Sequence, residues 1–325
     1  MVISLNNRIF ARNIKEMDHP LVSIIIPNYN HARFLNQRIH SVLDQTYKNF
    51  EIIILDDKSS DNSMDIIYSY HDNPKVSYII RNEENSGSPF IQWKKGIDLA
   101  KGELVWIAES DDSCENNLLE CLIPAFETDD SCVISFCKSI KINFDGRQIG
   151  IEGLSSQLHI KGNLFIKKYL CRHNYITNAS SVIFRKDVIK DIDWSFMNYR
   201  GCGDWVLWIE ICRHGNIAYY DYPLNYFRIH GANTTLQQAF DGRNEIEGAK
   251  VYKYMLQKKY ISYKDGLRAR ISHIYSVSYG KQSSFYSDNT KNELLQAWKV
   301  TPFIRIITWI IYIIQKNTNY IIIKR

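Results

Sequence analysis

The chain has 325 residues, a length that suits one large domain with an extension or two smaller units. Its 40 Lys and Arg residues against 35 Asp and Glu residues give a net charge of +5, which fits an anionic substrate or a membrane surface. This excess is too small to indicate a nucleic acid partner. The seven cysteines include no CxxC pair, which argues against a zinc site and favours reduced thiols in a cytoplasmic protein.

Strands and helices alternate through the first third of the chain. Short β-branched runs predict buried strands, and apolar residues spaced three and four apart predict helices. In chain order the predicted elements are strand 22–26, helix 32–44, strand 50–55, helix 61–70, strand 76–80, helix 88–100 and strand 104–108. This order predicts an α/β fold with a doubly wound, mostly parallel sheet. Residues 1–20 lack the apolar core of a signal peptide and are expected to form a leader.

Polar residues directly follow three of these strands. They are residues 27–30, Asp56 with Asp57, and residues 109–112. The carboxyl ends of neighbouring parallel strands meet at one edge of a sheet, so these residues are expected to line one ligand-binding cleft. No GxGxxG or GxxxxGKS/T motif follows the first strand, which argues against a dinucleotide site and against a P-loop.

The run Glu109-Ser110-Asp111-Asp112 places three carboxylates within four residues. Carboxylates crowded at a strand end repel one another and resist burial, so a compensating charge is expected. Mg²⁺ or Mn²⁺ is the usual one, because these cations take oxygen ligands and often bridge a carboxylate to a substrate phosphate. The alternative is a solvated acidic loop.

The second third of the chain contains two further candidate groups. Its predicted elements are helix 115–127 broken at Pro124, strands 132–136 and 139–144 before a turn at Asp145-Gly146, a loop at 150–156, helix 161–172 and strand 178–184. Asp204 follows Gly203 at the start of a helical pattern, where its carboxylate either faces a cleft or only caps the helix. Arg228 and His230 are two apart on a predicted strand and therefore share one side of it.

The last third of the chain is helical in pattern. Residues 236–300 are mainly helical, and the tail from residue 302 to residue 325 contains an apolar run at 306–314 with basic flanks. That run is too short to span a bilayer comfortably, and it fits an interfacial helix lying on a membrane surface. A core helix or a dimer helix is the alternative.

Three runs closely resemble the family 2 inverting glycosyltransferases, which have a GT-A fold and use nucleotide-diphospho-sugars. The runs are VSIIIPNYNHARFLNQRIHSVLDQTY, FEIIILDDKSSDNS and NSGSPFIQWKKGIDLAKGELVWIAESDD, in the order that the family has them. The resemblance covers about residues 21–232. It implies a GT-A domain over residues 21–235, with a nucleotide-sugar half (21–115) and an acceptor half (116–235), followed by a helical C-terminal extension (236–325). The chain departs from the family's DxD motif, which reads Glu109-Ser110-Asp111 here.

The resemblance also implies a role for each matching position. The residues implied to bind the donor are Pro27, Asn28, Tyr29, Asp56, Asp57, Asn85, Gly87, Asp111 and Arg228. Asp57, alone or with Asp56, would accept a hydrogen bond from the imide N–H of uracil or thymine, whereas its alternative role is a helix cap. Asp112 would bind Mn²⁺ or Mg²⁺ directly, beside Asp111. Arg228 would neutralise phosphate charge, and His230 would be a metal ligand or a phosphate donor.

Asp204 matches the family's catalytic base, although Gly203 stands where the family often has Glu. The expected function is therefore metal-dependent, inverting transfer of a sugar from a UDP- or dTDP-linked donor to a hydroxyl of a glycan or lipid-linked acceptor. The expected setting is surface polysaccharide synthesis in the cytoplasm, with peripheral contact to the inner face of the cell membrane. A nucleotidyltransferase would need a Gly-rich loop at residues 27–31, which the chain lacks. A non-catalytic sugar-binding or scaffold protein would not need acidic groups at these strand ends.

Overall fold

The computed structural model describes residues 19–231, 242–280, 283 and 286–318. The leader predicted over residues 1–20 lies outside these residues, apart from His19 and Pro20.

One mixed sheet of ten strands runs through the described residues. The strands are β1 (Val22–Asn28), β2 (Phe50–Asp56), β3 (Val76–Arg81), β4 (Leu104–Ile107), β5 (Ser113–Cys114), β6 (Cys132–Ile142), β7 (Gln148–Glu152), β8 (Leu158–Lys161), β9 (Val182–Arg185) and β10 (Asn216–Arg228). Their order across the sheet is β3-β2-β1-β4-β9-β6-β10-β5, with β7 paired to β6 and β8 paired to β10.

Helices cover both faces of this sheet. They are α1 (Ala32–Leu43), α2 (Ser63–Tyr68), α3 (Pro89–Leu99), α4 (Leu118–Leu122), α5 (Pro124–Thr128), α6 (Gly162–Phe165), α7 (Gly203–Cys212), α8 (Arg243–Gln257), α9 (Tyr263–Tyr279), α10 (Asp288–Ala297) and α11 (Pro302–Thr318). The first, second, fourth and fifth helices share an apolar core with one face, and the third, seventh and C-terminal helices share the core on the other.

The predicted parallel arrangement is confirmed for the strands that carry the cleft. β1 pairs in parallel with β2 and β4, and β2 pairs in parallel with β3. All residues of β1 and β2 are buried, which explains their unbroken apolar runs. The register places Asn28 beside Asp56 and Asp56 beside Arg81, so the strands end together at one edge.

The second half of the sheet differs from its prediction. One continuous strand, β6, replaces the two strands predicted over residues 132–144, because no turn-forming residue separates its halves. The hairpin to β7 turns at Gly146, whose φ of +81° is a conformation that suits glycine. β10 pairs with β6 in parallel and with β5 and β8 in antiparallel fashion, so this half is mixed.

The helices after residue 242 pack on the same core as the sheet. Val251 and Met255 of α8 are fully buried there, and Trp298 stacks on His273 with ring centroids 4.4 Å apart. No single helix among the described residues has the length and apolar content to cross a membrane. The α10 helix and residues 302–314 meet those criteria only as a pair, which is bent by 116° at the break between them.

Candidate functional site

A cleft of about 540 Å³ opens at the carboxyl ends of β1, β2 and β4. The predicted site residues that line it are Pro27, Asn28, Tyr29, Asp57, Asn85, Gly87, Asp111, Asp112 and Asp204. Three other predicted site residues, Asp56, Arg228 and His230, are not among its lining residues. Several lining residues had no predicted role, and they include His31, Gln92, Trp93, Asn178 and Arg200.

Asp57 is held at one end of the cleft by a set of donors. Its Oδ1 accepts hydrogen bonds from Asn82 Nδ2 at 2.6 Å, from Ser86 N at 2.9 Å and from Gln92 Nε2 at 2.9 Å. Its Oδ2 accepts a hydrogen bond from Ser86 Oγ at 2.8 Å. Oδ1 accepts three hydrogen bonds and Oδ2 accepts one from the described residues, so Oδ2 is the oxygen that retains capacity for a ligand N–H. Tyr29, which is 48% exposed, also lines the cleft.

The carboxylate of Asp56 is hydrogen-bonded to other residues of the protein. Its Oδ1 accepts a hydrogen bond from Asn28 Nδ2 at 2.9 Å, and its Oδ2 accepts one from Ser59 N at 2.9 Å. Arg81 Nε lies 3.7 Å from Oδ2. Asp56 and Asp57 are consecutive residues at a strand end, so their side chains point in different directions. The structure therefore does not favour the donor-binding role predicted for Asp56.

Asp112 is also occupied by protein groups. Its Oδ1 accepts a hydrogen bond from the backbone N–H of Arg228 at 2.8 Å. Its Oδ2 accepts hydrogen bonds from Asn178 Nδ2 at 2.9 Å and from Ser180 Oγ at 2.7 Å. Burial, followed by the charge of Asp111, raises the pKa of Asp112 to about 6. The structure therefore favours a role in joining the acidic run to β10, and it does not favour the direct metal coordination predicted for Asp112.

Asp111 lies beside two histidines. Its Oδ2 is 3.0 Å from Nε2 of His230, and the ring of His230 meets that of His31 edge-on at 5.5 Å. Burial acts to raise the pKa of Asp111, but the hydrogen bond from His230 and the nearby charges of both histidines hold it below its usual value. Burial lowers the pKa of His31 against the opposing charge of Asp111, and the neutral imidazole is the form that binds a metal ion.

These three side chains fit a divalent cation. Among the described residues, they form the one group of potential ligands whose ligand atoms all lie within 4.8 Å of one another. Two imidazole nitrogens with one carboxylate suit a transition ion such as Mn²⁺ better than Mg²⁺, which prefers oxygen ligands in octahedral geometry. His31 had no predicted role, although its place in the polar turn after the first strand was a usable signal.

Two buried arginines supply positive charge around the acidic run. Arg38 of α1 is completely buried and donates from Nε to the backbone oxygen of Glu109 at 2.8 Å. Burial and the neighbouring carboxylates raise the pKa values of Glu109 and Asp112, and the charge of Arg38 opposes that rise at both residues. Part of the compensation that the crowded carboxylates require therefore comes from the protein itself.

Arg228 contributes to this framework and does not line the cleft. Its Nε donates to the backbone oxygen of Asp111 at 2.8 Å, and its Nη2 donates to Gln37 Oε1 at 2.7 Å. Its guanidinium lies 4.5 Å from the centroid of the Phe34 ring. These contacts use the guanidinium to join β10, α1 and the acidic run, so the structure does not favour the phosphate contact predicted for Arg228.

Glu109 stands at the position of the motif's first aspartate. Its Oε1 accepts a hydrogen bond from Trp93 Nε1 at 2.8 Å, and both residues line the cleft. Burial, together with the charges of Asp111 and Asp112, raises the pKa of Glu109 to about 8. Trp93 is only 4% exposed and belongs to the apolar core, so it combines core packing with a hydrogen bond to Glu109 in the cleft.

Asp204 approaches the same cleft from the N-terminus of α7. Its Oδ2 accepts a hydrogen bond from Asn174 Nδ2 at 2.9 Å, and its Oδ1 accepts one from the N–H of Trp205 at 2.7 Å. Burial raises the pKa of Asp204 to about 7 against the opposing effect of these two hydrogen bonds. A carboxylate with this pKa, partly open to the cleft, is suited to accept a proton near neutral pH.

The packing around Asp204 explains the preceding glycine. A Cβ atom on Gly203 would lie 2.5 Å from Cε2 of Phe90, so the start of α7 touches α3 directly. A glutamate at this position would collide with that ring. The close contact with Phe90 therefore explains why position 203 is a glycine.

Comparisons with known proteins agree with this architecture. The family model described as Glycosyl transferase family 2 matches residues 23–193, which is more than half of the chain. An uncharacterized glycosyltransferase of Nostoc sp. is 26% identical over 313 residues, covering 92% of this chain and 92% of its own. TuaG of Bacillus subtilis, named for teichuronic acid biosynthesis, is 30% identical over 62% of this chain and 75% of its own.

A solved structure shares the fold at low sequence identity. The crystal structure of S. aureus TarS 1-349 in complex with UDP-GlcNAc has a TM-score of 0.56 and 14% identity, with 92% of each chain covered. This chain spans 50% of a longer TarS chain, with a TM-score of 0.62. The chain belongs to glycosyl transferase family 2 and is a glycosyltransferase with a GT-A fold.

Proposed function

We propose that this enzyme moves a sugar, with inversion, from a nucleoside-diphosphate sugar to a hydroxyl group of an acceptor. The observation that carries the proposal is that Asp204, whose pKa is raised to about 7, shares one cleft with Asp57 and Asp111. Such a transfer needs a proton acceptor, a group that recognises the nucleobase of the donor and a group that binds the cation. Asp204, Asp57 and Asp111 would fill these roles in that order.

Asp204 is the general base in this proposal. It accepts the proton of the acceptor hydroxyl, whose oxygen attacks the anomeric carbon on the face opposite the diphosphate. The bond between that carbon and the diphosphate oxygen breaks, and the nucleoside diphosphate leaves with the electron pair. Asn174 and the N–H of Trp205 hold the carboxylate in place. A divalent ion held by Asp111, His31 and His230 would supply positive charge to the departing diphosphate.

The donor base is uracil or thymine in this proposal. Oδ2 of Asp57 retains acceptor capacity, and both bases present an imide N–H, whereas cytosine presents an acceptor at the same position. Further support comes from TarS, which has a similar fold and has been crystallised with UDP and with UDP-GlcNAc. The test is thermal-shift binding of UDP, dTDP, GDP and CDP, each with Mn²⁺ and with chelator. A shift with CDP as large as that with UDP would contradict the assignment.

The experiment that tests the function combines transfer and binding. Asp204→Asn keeps the shape of the side chain but removes its basicity, so transfer should be nearly abolished while UDP binding is retained. Asp191→Asn, at an exposed aspartate outside the cleft, is the matched control and should behave as wild type. Wild-type turnover in Asp204→Asn would remove that residue from the role. Absence of transfer by the wild-type protein with every donor would favour a non-catalytic sugar-binding scaffold.

The acceptor class in this proposal is a growing surface glycan or its lipid-linked form. The name of TuaG, which refers to teichuronic acid biosynthesis, supports this class. Incubation of radiolabelled donor with lipid-linked and with free oligosaccharides, followed by extraction into organic solvent, would separate the two forms of acceptor.

We further propose that α11 binds the cytoplasmic face of the membrane. Its residues Ile304 and Thr308 are buried against the protein, whereas large apolar side chains face outward. The exposed ones are Phe303, Ile306, Trp309, Ile310 and Ile314. Such an apolar stripe, with Arg305 beside it, suits an anionic lipid surface.

Co-sedimentation with vesicles of phosphatidylglycerol and phosphatidylcholine tests the membrane proposal. Ile306→Glu should lower the pelleted fraction, because it places a charge within the apolar stripe. Gln296→Glu adds the same charge at an exposed position on α10 and should leave pelleting unchanged. Equal pelleting of the two variants would contradict the membrane role.

A further inference from the structure

Glu247 makes three hydrogen bonds to one short backbone segment. Its Oε1 accepts a hydrogen bond from Arg200 N, and its Oε2 accepts hydrogen bonds from Gly201 N and Cys202 N, each at 2.9 Å. Glu247 lies on α8, 45 residues after Cys202, and its side chain is buried. A buried carboxylate is costly unless it is hydrogen-bonded, so these donors both stabilise Glu247 and depend on it.

The segment that Glu247 holds leads directly into the base. Residues 200–202 precede Gly203 and Asp204, and both Arg200 and Gly201 line the cleft. Cys202 is the residue at the cap position of α7, and its side chain makes no capping hydrogen bond. A carboxylate beside a helix N-terminus is favourable, because it interacts with the partial positive charge of the helix dipole. Glu247 therefore accepts the hydrogen bond of the cap residue of α7, and of the two residues before it, from a different helix.

The start of α7 is held from both sides. On one side the Gly203 backbone is so close to Phe90 of α3 that even a Cβ atom would not fit. On the other side α8 supplies Glu247, and Tyr254 Oη of α8 donates to Glu210 Oε1 of α7 at 2.6 Å. Glu247 thus contacts the segment that precedes α7, and Tyr254, farther along α8, contacts the last turn of α7. Loss of the Glu247 contacts would free the N-terminal turn of α7, and with it the carboxylate of Asp204.

We propose that Glu247 is a positioning residue for sugar transfer, through which the C-terminal helical segment completes the acceptor side of the active site. This inference rests on the proposed role of Asp204 as the base. Glu247 does not line the cleft, and its hydrogen bonds reach the base through the backbone of residues 200–202. Its charge also acts to raise the pKa of Asp204, after the larger effect of burial. Its loss should therefore affect kcat and leave donor binding intact, since Asp57 and Asp111 lie on other segments.

The test compares Glu247→Gln with Glu245→Gln. Glutamine keeps the length of the side chain but replaces one acceptor oxygen with an NH₂ group, which cannot accept the hydrogen bonds from the loop. Glu245 is on the same helix and contacts His273 at 3.1 Å, so its variant controls for the loss of an α8 carboxylate. A misplacement of about 1 Å can reduce a rate by about 100-fold, so we expect kcat of Glu247→Gln to fall by about 10- to 100-fold. The Glu245→Gln control should retain kcat, and both should keep the donor KM within about twofold.

A second readout does not depend on activity. Hydrogen exchange of the amides of residues 200–204 should accelerate in Glu247→Gln and stay unchanged in Glu245→Gln. Unchanged exchange would overturn the inference even if the wild-type protein transferred no sugar. Equal kcat in the two variants, with an active wild type, would overturn it while leaving the proposed function intact. If Glu247→Gln does not fold, Glu247→Asp, which keeps the charge on a shorter arm, should show the same loss of kcat at constant donor KM.

Discussion

The hydrogen bond from Asn174 to Asp204 gives a prediction whose size follows from the structure. Asn174 Nδ2 donates to Oδ2 of Asp204 at 2.9 Å and thereby favours the charged carboxylate. In Asn174→Ala this stabilisation is lost, whereas the burial that raises the pKa of Asp204 to about 7 remains. The pKa of Asp204 should therefore rise further, and a larger fraction of the base should be protonated at neutral pH.

The energy of a hydrogen bond to a charged group gives the size of the shift in the pKa of Asp204. A hydrogen bond to a charged group contributes about 1.5–3 kcal/mol, and about 1.4 kcal/mol corresponds to one pH unit. The midpoint of the acid limb of kcat/KM should therefore move up by about one to two pH units. With the wild-type base half ionised near pH 7, the variant should lose about 5- to 50-fold in rate at that pH. Since only the ionised form accepts a proton, the loss should shrink as the pH rises.

The assay is the initial rate of sugar transfer between pH 5.5 and pH 10 at saturating Mn²⁺. Asn163→Ala, which removes an exposed asparagine from α6, is the control and should reproduce the wild-type profile. A limb that stays in place in Asn174→Ala, or that moves to lower pH, would refute the reasoning. A uniform loss of rate at every pH would indicate that Asn174 acts by shaping the loop and not through the charge of Asp204.

Three further predictions follow from the same region. Gly203→Ala forces a Cβ atom within 2.5 Å of Phe90 and should cost about 1–3 kcal/mol of stability, a loss that Phe90→Leu should partly restore in thermal melts. The pKa of Asp204 is about 7 in the folded protein and about 4 in an unfolded chain. Ionisation of this buried carboxylate therefore destabilises the folded state increasingly as pH rises from about 4 to about 7. Asp204→Asn should therefore raise Tm relative to wild type at pH 8 and lose this advantage at pH 4. His31→Ala should weaken Mn²⁺ binding in an electron paramagnetic resonance titration, whereas Asp112→Asn should mainly lower Tm. Equal loss of Mn²⁺ affinity in the two variants would contradict a cation site made of His31, Asp111 and His230.

The charge balance of the acidic run was only partly predictable. Crowded carboxylates at a strand end indicated that compensation was needed, and that reasoning used local sequence alone. The compensation has two sources, a group of ligands suited to a cation and the buried guanidiniums of Arg38 and Arg228. Arg38 lies 71 residues before Glu109, on a helix whose pattern showed only an arginine among apolar positions. Its spacing from Phe34, Leu35 and Val42 places it on the apolar face of that helix, but this pattern does not indicate which charge it meets.

Local patterns of the sequence were sufficient to predict the alternation of strands and helices, the parallel half of the sheet and the edge at which the cleft forms. These features depend on side-chain periodicity, which is a property of neighbouring residues. Tertiary structure alone decided which of Asp56 and Asp57 faces the cleft, because alternation along a strand does not tell which of its two sides borders the cleft. It also decided that Asp111 meets His230, 119 residues later, and that Glu247 holds the loop before Asp204. Contacts of this range arise from the packing of whole elements, which the spacing of residues along the chain does not contain.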